Sequence, residues 1–111
     1  MGMEMKVARF DVCLITLDPT QGSEIKKTRP CVIISPDEMN KYLSTVIVAP
    51  MTTKTRAYPT RIATHFDKKS GQIVLDQIRT IDKSRIIKHV GKLSSADSKK
   101  VINILQQLFA W

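Results

Sequence analysis

Asp18-Pro19-Thr20-Gln21-Gly22-Ser23-Glu24-Ile25-Lys26-Lys27-Thr28-Arg29-Pro30 separates two apolar β-type runs, Val12–Leu17 and Cys31–Ser35. The runs are rich in β-branched and aliphatic residues and fit central strands. The stretch between them is built from turn residues. Pro19 fixes φ, Gly22 allows φ > 0, and Asp18 and Ser23 can bond nearby backbone groups. One carboxylate, Glu24, and three cations, Lys26, Lys27 and Arg29, share the connection. A polar loop tethered at both ends to buried strands is a rigid platform for reactive side chains. It is equally a solvated connection whose charges keep it wet, and the residues alone leave both readings open.

Outward from this loop the chain continues as short strands. Phe10–Leu17 is a β-rich run. Ser35-Pro36-Asp37-Glu38 suggests a turn or short helical turn through Asn40, and Thr45–Ala49 is a strand ended by Pro50, which cannot donate to a ladder. Thr52-Thr53-Lys54-Thr55-Arg56 forms a second polar, basic loop. Arg61–Phe66 and Gln72–Gln77 pair across a hairpin loop, Asp67-Lys68-Lys69-Ser70-Gly71. Asp82–Ser84 breaks the chain before a short basic strand, Arg85–Val90. A helix follows: Ser94 is its N-cap, with Asp97 three residues on. Val101, Ile104, Leu105 and Leu108, widened by Ile102 and Phe109, form its apolar stripe. The expected architecture is mostly β with a C-terminal helix packed on a small, strongly bent barrel.

With 111 residues, the chain is expected to be one domain spanning 1–111, with residues 1–8 a flexible lead-in. Apolar content of 42% and charged content of 25% are ordinary for a globular protein. A net charge of +8 and a pI near 9.8 are not. They favour a polyanion, nucleic acid before membrane, because no basic amphipathic helix or long apolar span is present. An acidic protein partner fits the charge equally well. Cys13 and Cys31 lie in apolar runs without metal spacing and read as small buried hydrophobes with free thiols. No signal peptide is read at the N-terminus, so a cytoplasmic protein is expected.

The loop blocks also carry a resemblance. Asp-Pro-Thr-x-Gly-Ser-Glu at 18–24, Arg29-Pro30, Val48-Ala49-Pro50-Met51-Thr52-Thr53, Tyr58-Pro59 and Asp76-Gln77-Ile78-Arg79-Thr80-Ile81 fall in the order and spacing of the MazF/PemK family of toxin endoribonucleases. Together they span about Phe10 to Leu93. The resemblance implies an SH3-like barrel of the MazF/CcdB-like plasmid maintenance toxin fold, assembled as a homodimer. It implies a sequence-specific mRNA interferase acting on single-stranded RNA without metal or cofactor, and an acidic antitoxin whose extended tail covers the basic groove.

In such a reaction the 2′-hydroxyl attacks the adjacent phosphate, leaving a 2′,3′-cyclic phosphate and a 5′-hydroxyl. It needs a base, an acid and donors for the developing charge. Arg29 matches phosphate geometry bidentately and stays charged. The resemblance makes it catalytic; the alternative is a structural pairing with Glu24 or Asp18. Thr52 matches the family's second catalytic position, and its hydroxyl can donate to a phosphate oxygen or simply stabilise a turn. Asp76 closes an apolar run, where burial would raise its pKa towards base duty. It can instead be a structural acceptor or the partner of a nearby Arg.

Some family members carry Arg two residues before this Asp and His at the Ser23 position. Val74 and Ser23 stand here, which shifts the expected chemistry from an Asp/Arg/His triad to Arg29 and Thr52. Ser23, Glu24, Lys26, Lys27, Thr53, Lys54, Gln77 and Arg79 are expected to bind substrate or orient the loop, and Arg56 adds a phosphate contact. No role is assigned to His65 or His89, and Tyr58 and Phe10 are the aromatics nearest the motifs. A gyrase poison of the same fold, acting through Phe109 and Trp111, is the alternative function. A non-catalytic nucleic-acid-binding barrel is the third, and it leaves the Arg29/Thr52 pairing unexplained.

Overall fold

The structure, a computed structural model, describes residues 6–110. Most of the expected lead-in and Trp111 lie outside them. Seven strands form one strongly bent sheet: β1 (Asp11–Thr16), β2 (Thr28–Ile33), β3 (Thr45–Thr52), β4 (Arg61–Phe66), β5 (Lys69–Val74), β6 (Arg79–Asp82) and β7 (Ile86–Lys92). Helix α1 (Asp37–Tyr42) links β2 to β3, and α2 (Ser95–Phe109) follows β7. The strand order is β4-β5-β3-β2-β1-β7, with β6 also pairing β3.

β3 belongs to both halves of the sheet. Along one edge it pairs first with β6, through Val48 opposite Arg79, and then with β5, from Met51 opposite Ile73. Its other edge runs along β2, with Ala49 opposite Val32 and Pro50 opposite Cys31. Pro50 therefore does not end the strand, as its missing donor suggested. Ile47 gives its carbonyl to Ile34 on the β2 side, and antiparallel residues alternate in direction. Pro50 thus faces the other side, in the gap between β6 and β5, where no ladder bond is lost.

Both faces of the central strands are buried, which is why they read as continuous apolar runs. Val12, Val32, Ala49, Met51, Ile73 and Leu75 form one core with Val101 of α2. Cys13, Ile15, Cys31, Ile33, Val46, Val48 and Ile81 form the other. Cys13 and Cys31 sit directly opposite each other as buried free thiols. Burial pushes their pKa values up to about 11 and about 12. Ser94 caps α2 by accepting the Asp97 N–H, and Asp97 in turn accepts Thr64 Oγ1 at 2.8 Å, fixing the helix to β4. Val101 is fully buried and Ile104 and Leu105 pack against the core. Leu108 and Phe109 are not part of that packing: they stand 41% and 70% exposed.

The hairpin is tighter than its sequence suggests. Asp67 and Lys68, at φ 51° and 63°, make the whole turn, and Lys69 to Gly71 already belong to β5. Gly71 is needed for close approach, since a Cβ there would lie 2.4 Å from the Thr52 carbonyl oxygen. After Val74 the chain leaves the strand for a 3-10 turn, Leu75–Gln77, instead of continuing to Gln77 as a strand, and then forms β6. Residues 79–82 were not anticipated as a strand.

Gly71→Ala is expected to lower stability by about 1–3 kcal/mol, because β5 must move off backbone atoms that cannot give way. Gly22→Ala, with φ 54° and nothing within 4 Å, should cost only the left-handed backbone penalty of about 1 kcal/mol. Urea unfolding of the two variants measures the difference.

Candidate functional site

Arg29 lies in β2 and not in the loop before it. The pairing β2 makes on each side explains the neighbouring proline. Leu17 donates to the Lys27 carbonyl, so Lys27 and Arg29 face β1, while Pro30 faces Met51 of β3. Pro30 has no N–H to offer the Met51 carbonyl. The Arg29 guanidinium takes that place, donating from Nη1 to Met51 O at 3.4 Å and from Nε to Lys26 O at 3.0 Å. Neither Glu24 nor Asp18 pairs with it among the described residues. Its position is fixed by carbonyls, and its charge is not spent on a carboxylate.

Thr52 follows Met51 at the end of β3. Its Oγ1 accepts the Lys54 N–H at 3.2 Å, the turn-stabilising bond considered for it. The hydroxyl proton is not used in that bond and can be donated elsewhere. Arg29, Thr52 and Thr53 line one groove of about 410 Å³. Its floor crosses the sheet through Met51, Pro30 and Leu14 to Lys88 of β7, and its far wall is the β4–β5 hairpin with Phe66, Lys69 and Gln72. Lys69, Lys88 and Phe66 were missed in the sequence. Their spacing from the motif blocks carries no local signal, and only the curvature of the sheet brings them to Arg29. Tyr58 and Phe10 are elsewhere: Tyr58 covers Arg61, ring to guanidinium 5.1 Å, and Phe10 packs beside α2. Neither histidine lines the groove.

Glu24, Asp76, Gln77 and Arg79 gather at a second cavity, of about 370 Å³, lined also by Pro50. Three of them hold the loop. Gln77 accepts the Ile25 N–H at 2.7 Å and donates to the Ser23 carbonyl at 3.4 Å, Arg79 donates to the Leu17 carbonyl at 3.0 Å, and Glu24 accepts the Gln21 N–H at 2.6 Å. Arg85 adds bonds to the Thr16 and Asp18 carbonyls. The second loop has a matching clamp, as Gln72 accepts the Arg56 N–H and donates to the Arg56 carbonyl. The side chains of Ser23, Lys26, Lys27 and Lys54 are exposed and outside both cavities.

Asp76 corrects the sequence expectation. Partial burial does push its carboxyl up, but hydrogen bonds from Arg61 and Thr60 outweigh it and hold the pKa below the ordinary value. The Arg61–Asp76 ion pair is 3.2 Å long, with Thr60 Oγ1 at 2.9 Å. This pairing is the alternative considered for Asp76, the partner of a nearby Arg, and the direction of its shift is opposite to the one burial alone was expected to give. Among the described residues, no three His, Cys, Asp or Glu side chains group as a metal site would. No described helix is long and apolar enough to cross a membrane.

Three comparisons bear on this geometry. Residues 8–109 match the family model described as PemK-like, MazF-like toxin of type II toxin-antitoxin system. A Staphylococcus saprophyticus protein named Endoribonuclease MazF is 42% identical over 105 residues, which cover 87% of this chain and 86% of the relative. Among solved structures, MazF from Deinococcus radiodurans superposes with a TM-score of 0.85 at 20% identity, over 96% of this chain and 99% of that one. An endoribonuclease in complex with its cognate antitoxin, from a mycobacterial species, superposes with a TM-score of 0.79 at 22% identity, over 95% and 98%.

Because Asp76 is held below its unfolded pKa of about 3.8, its contribution to stability is present above that value and lost as pH falls through the lower folded value. Asp76→Asn should therefore destabilise the protein at pH 7 by a fraction of about 1 kcal/mol, the scale of a solvent-screened ion pair, and progressively less below pH 4. Urea unfolding of both proteins across this range checks it, and a deficit that persists at low pH would contradict the assignment.

Proposed function

The chain belongs to the PemK-like, MazF-like toxin family of type II toxin–antitoxin systems, and from that membership we propose that it is a sequence-specific endoribonuclease. Its substrate is single-stranded RNA, whose unstacked bases are open to reading along their edges. Cleavage of mRNA would stop translation and growth. The observation that carries the reading is the convergence of Arg29 and Thr52 on one groove, with Arg29 anchored by carbonyls and unpaired with any described carboxylate.

The groove suits attack by the RNA's own 2′-hydroxyl. Charge develops on the nonbridging phosphate oxygens as the new bond forms, and a preplaced guanidinium and hydroxyl are worth most at that moment. Arg29 supplies the charge and Thr52 the second donor. The family resemblance also assigns Arg29 a role in proton transfer. Asp76 acts on this reading through Arg61 and Thr60, as a positioning residue at the wall behind Pro50. Gln77, Arg79 and Glu24 set the loop that precedes Arg29. The products are a 2′,3′-cyclic phosphate and a 5′-hydroxyl, and no metal or cofactor takes part.

The same surface suits an acidic antitoxin, since it is positively charged and the family pairs toxin with antitoxin. We place the protein in the cytoplasm with its RNA, as a homodimer of one toxin domain per chain, with residues 8–109 as that domain. The gyrase alternative finds no support in the relatives above, and the Trp111 on which it rested lies outside the described residues.

Purified protein incubated with a long single-stranded RNA in excess chelator is expected to give discrete cuts ending in cyclic phosphate. Arg29→Ala should reduce cleavage at least 100-fold, the scale seen when a transition-state donor is removed, while its urea unfolding remains cooperative. Loss of wild-type cleavage on chelation would remove the metal-independent step, and an active Arg29→Ala protein would remove Arg29 from it.

A further inference from the structure

We propose that Lys69 and Lys88 form a second phosphate subsite of the groove, holding the RNA backbone beside the linkage that is cut. The inference rests on the ribonuclease reading and adds to it a contact pair that the motif blocks do not contain.

The register of the sheet carries the argument. Leu14 of β1 lies opposite Pro30 on one side and opposite Lys88 on the other. Residues directly opposite one another project from the same face of a sheet. Pro30, Leu14 and Lys88 therefore make a row across three strands, with Lys88 about 10 Å from Pro30, two strand spacings away. Arg29 and Thr52 stand at one end of this row and Lys88 at the other.

Lys69 reaches the same end from above. It pairs with Phe66 across the hairpin, and Phe66 is seated on Gly91 of β7, so closely that a Cβ at Gly91 would lie 2.7 Å from the ring. This contact pins the hairpin against β7 and sets Lys69 and Lys88 on neighbouring walls. Three cations, Arg29, Lys69 and Lys88, line the groove against a single carboxylate, Asp67 in the hairpin turn. Among the described residues neither lysine has a carboxylate partner within ion-pair distance. Thr52 and Thr53 line the same groove. An anion with charges spaced along a chain matches this arrangement better than a single compact anion, and single-stranded RNA is such a chain.

Phosphate contacts have a signature that a merely structural lysine lacks. Each one removed makes the fall of log K with log salt shallower by about 0.7 for a single strand. The probe is a single-stranded RNA containing the mapped cut sequence, with one 2′-deoxy nucleotide at the cut so that intact protein binds without cleaving. Lys69→Gln and Lys88→Gln should each weaken binding several-fold at low salt and flatten the slope by about 0.7, and the double variant by about 1.4. Arg at either position should restore the slope. Lys41→Gln, on α1 away from the groove, should leave it unchanged. On ordinary RNA the substitutions should raise KM and leave kcat and the cut position as they were.

If the wild-type protein cuts RNA and both Gln variants keep the wild-type slope and KM, the second subsite is wrong and the ribonuclease reading stands. A fall in kcat without a change of slope would also overturn it. If the wild-type protein neither cuts nor binds RNA, the ribonuclease reading falls and the subsite with it.

Discussion

Two prolines remove two backbone donors from the centre of this sheet, and the structure is arranged around the gaps they leave. Pro50 sits where β3 exchanges β6 for β5, so its missing N–H coincides with a break in the ladder. Pro30 faces Met51, whose carbonyl is left without its ladder partner. A buried or half-buried carbonyl without a donor is costly. Arg29 supplies that donor from its side chain. The bond that satisfies the sheet also fixes the guanidinium at the mouth of the groove, so strand geometry and the placement of the charged group are one constraint.

The loops flanking the groove are held by the same kind of economy. Gln77 and Gln72, five residues apart, each use both ends of an amide on the backbone of a different loop. One fixes the connection before Arg29, and the other the connection after Thr52. Arg79 and Arg85 brace the base of the first loop through carbonyls. These side chains keep the two loops in register, and of them only Gln72 also lines the groove. A site held to this precision on strand ends and clamped loops needs little reorganisation when substrate arrives.

Much of this was legible in the sequence. The β-rich runs, the Ser94 cap and the Asp18–Pro30 loop gave a mostly β chain with a terminal helix, because local pattern and turn chemistry agree there. The motif blocks carried Arg29 and Thr52, and both line the groove. What was not legible depended on contacts between distant strands. Pro50 looked like a strand end because its ladder gap is a property of the pairing. Gly71 looked like a turn residue, although it is needed for a close approach to Thr52. Asp76 looked buried from its apolar neighbours, yet it lies after the strand ends and turns to Arg61. Lys26, Lys27 and Lys54 stood beside the motifs in sequence, while Lys69 and Lys88 reach the groove only through the curvature of the sheet.

In the proposed reaction Arg29 and Thr52 act together on one phosphate. Groups that act as a unit lose their effect together, so their individual losses do not multiply. Single-turnover cleavage at saturating RNA, measured for Arg29→Ala, Thr52→Ala and the double variant, tests this directly. The double variant is expected to be little slower than the slower single variant. Losses that multiply in full would show two residues acting independently, and would contradict it.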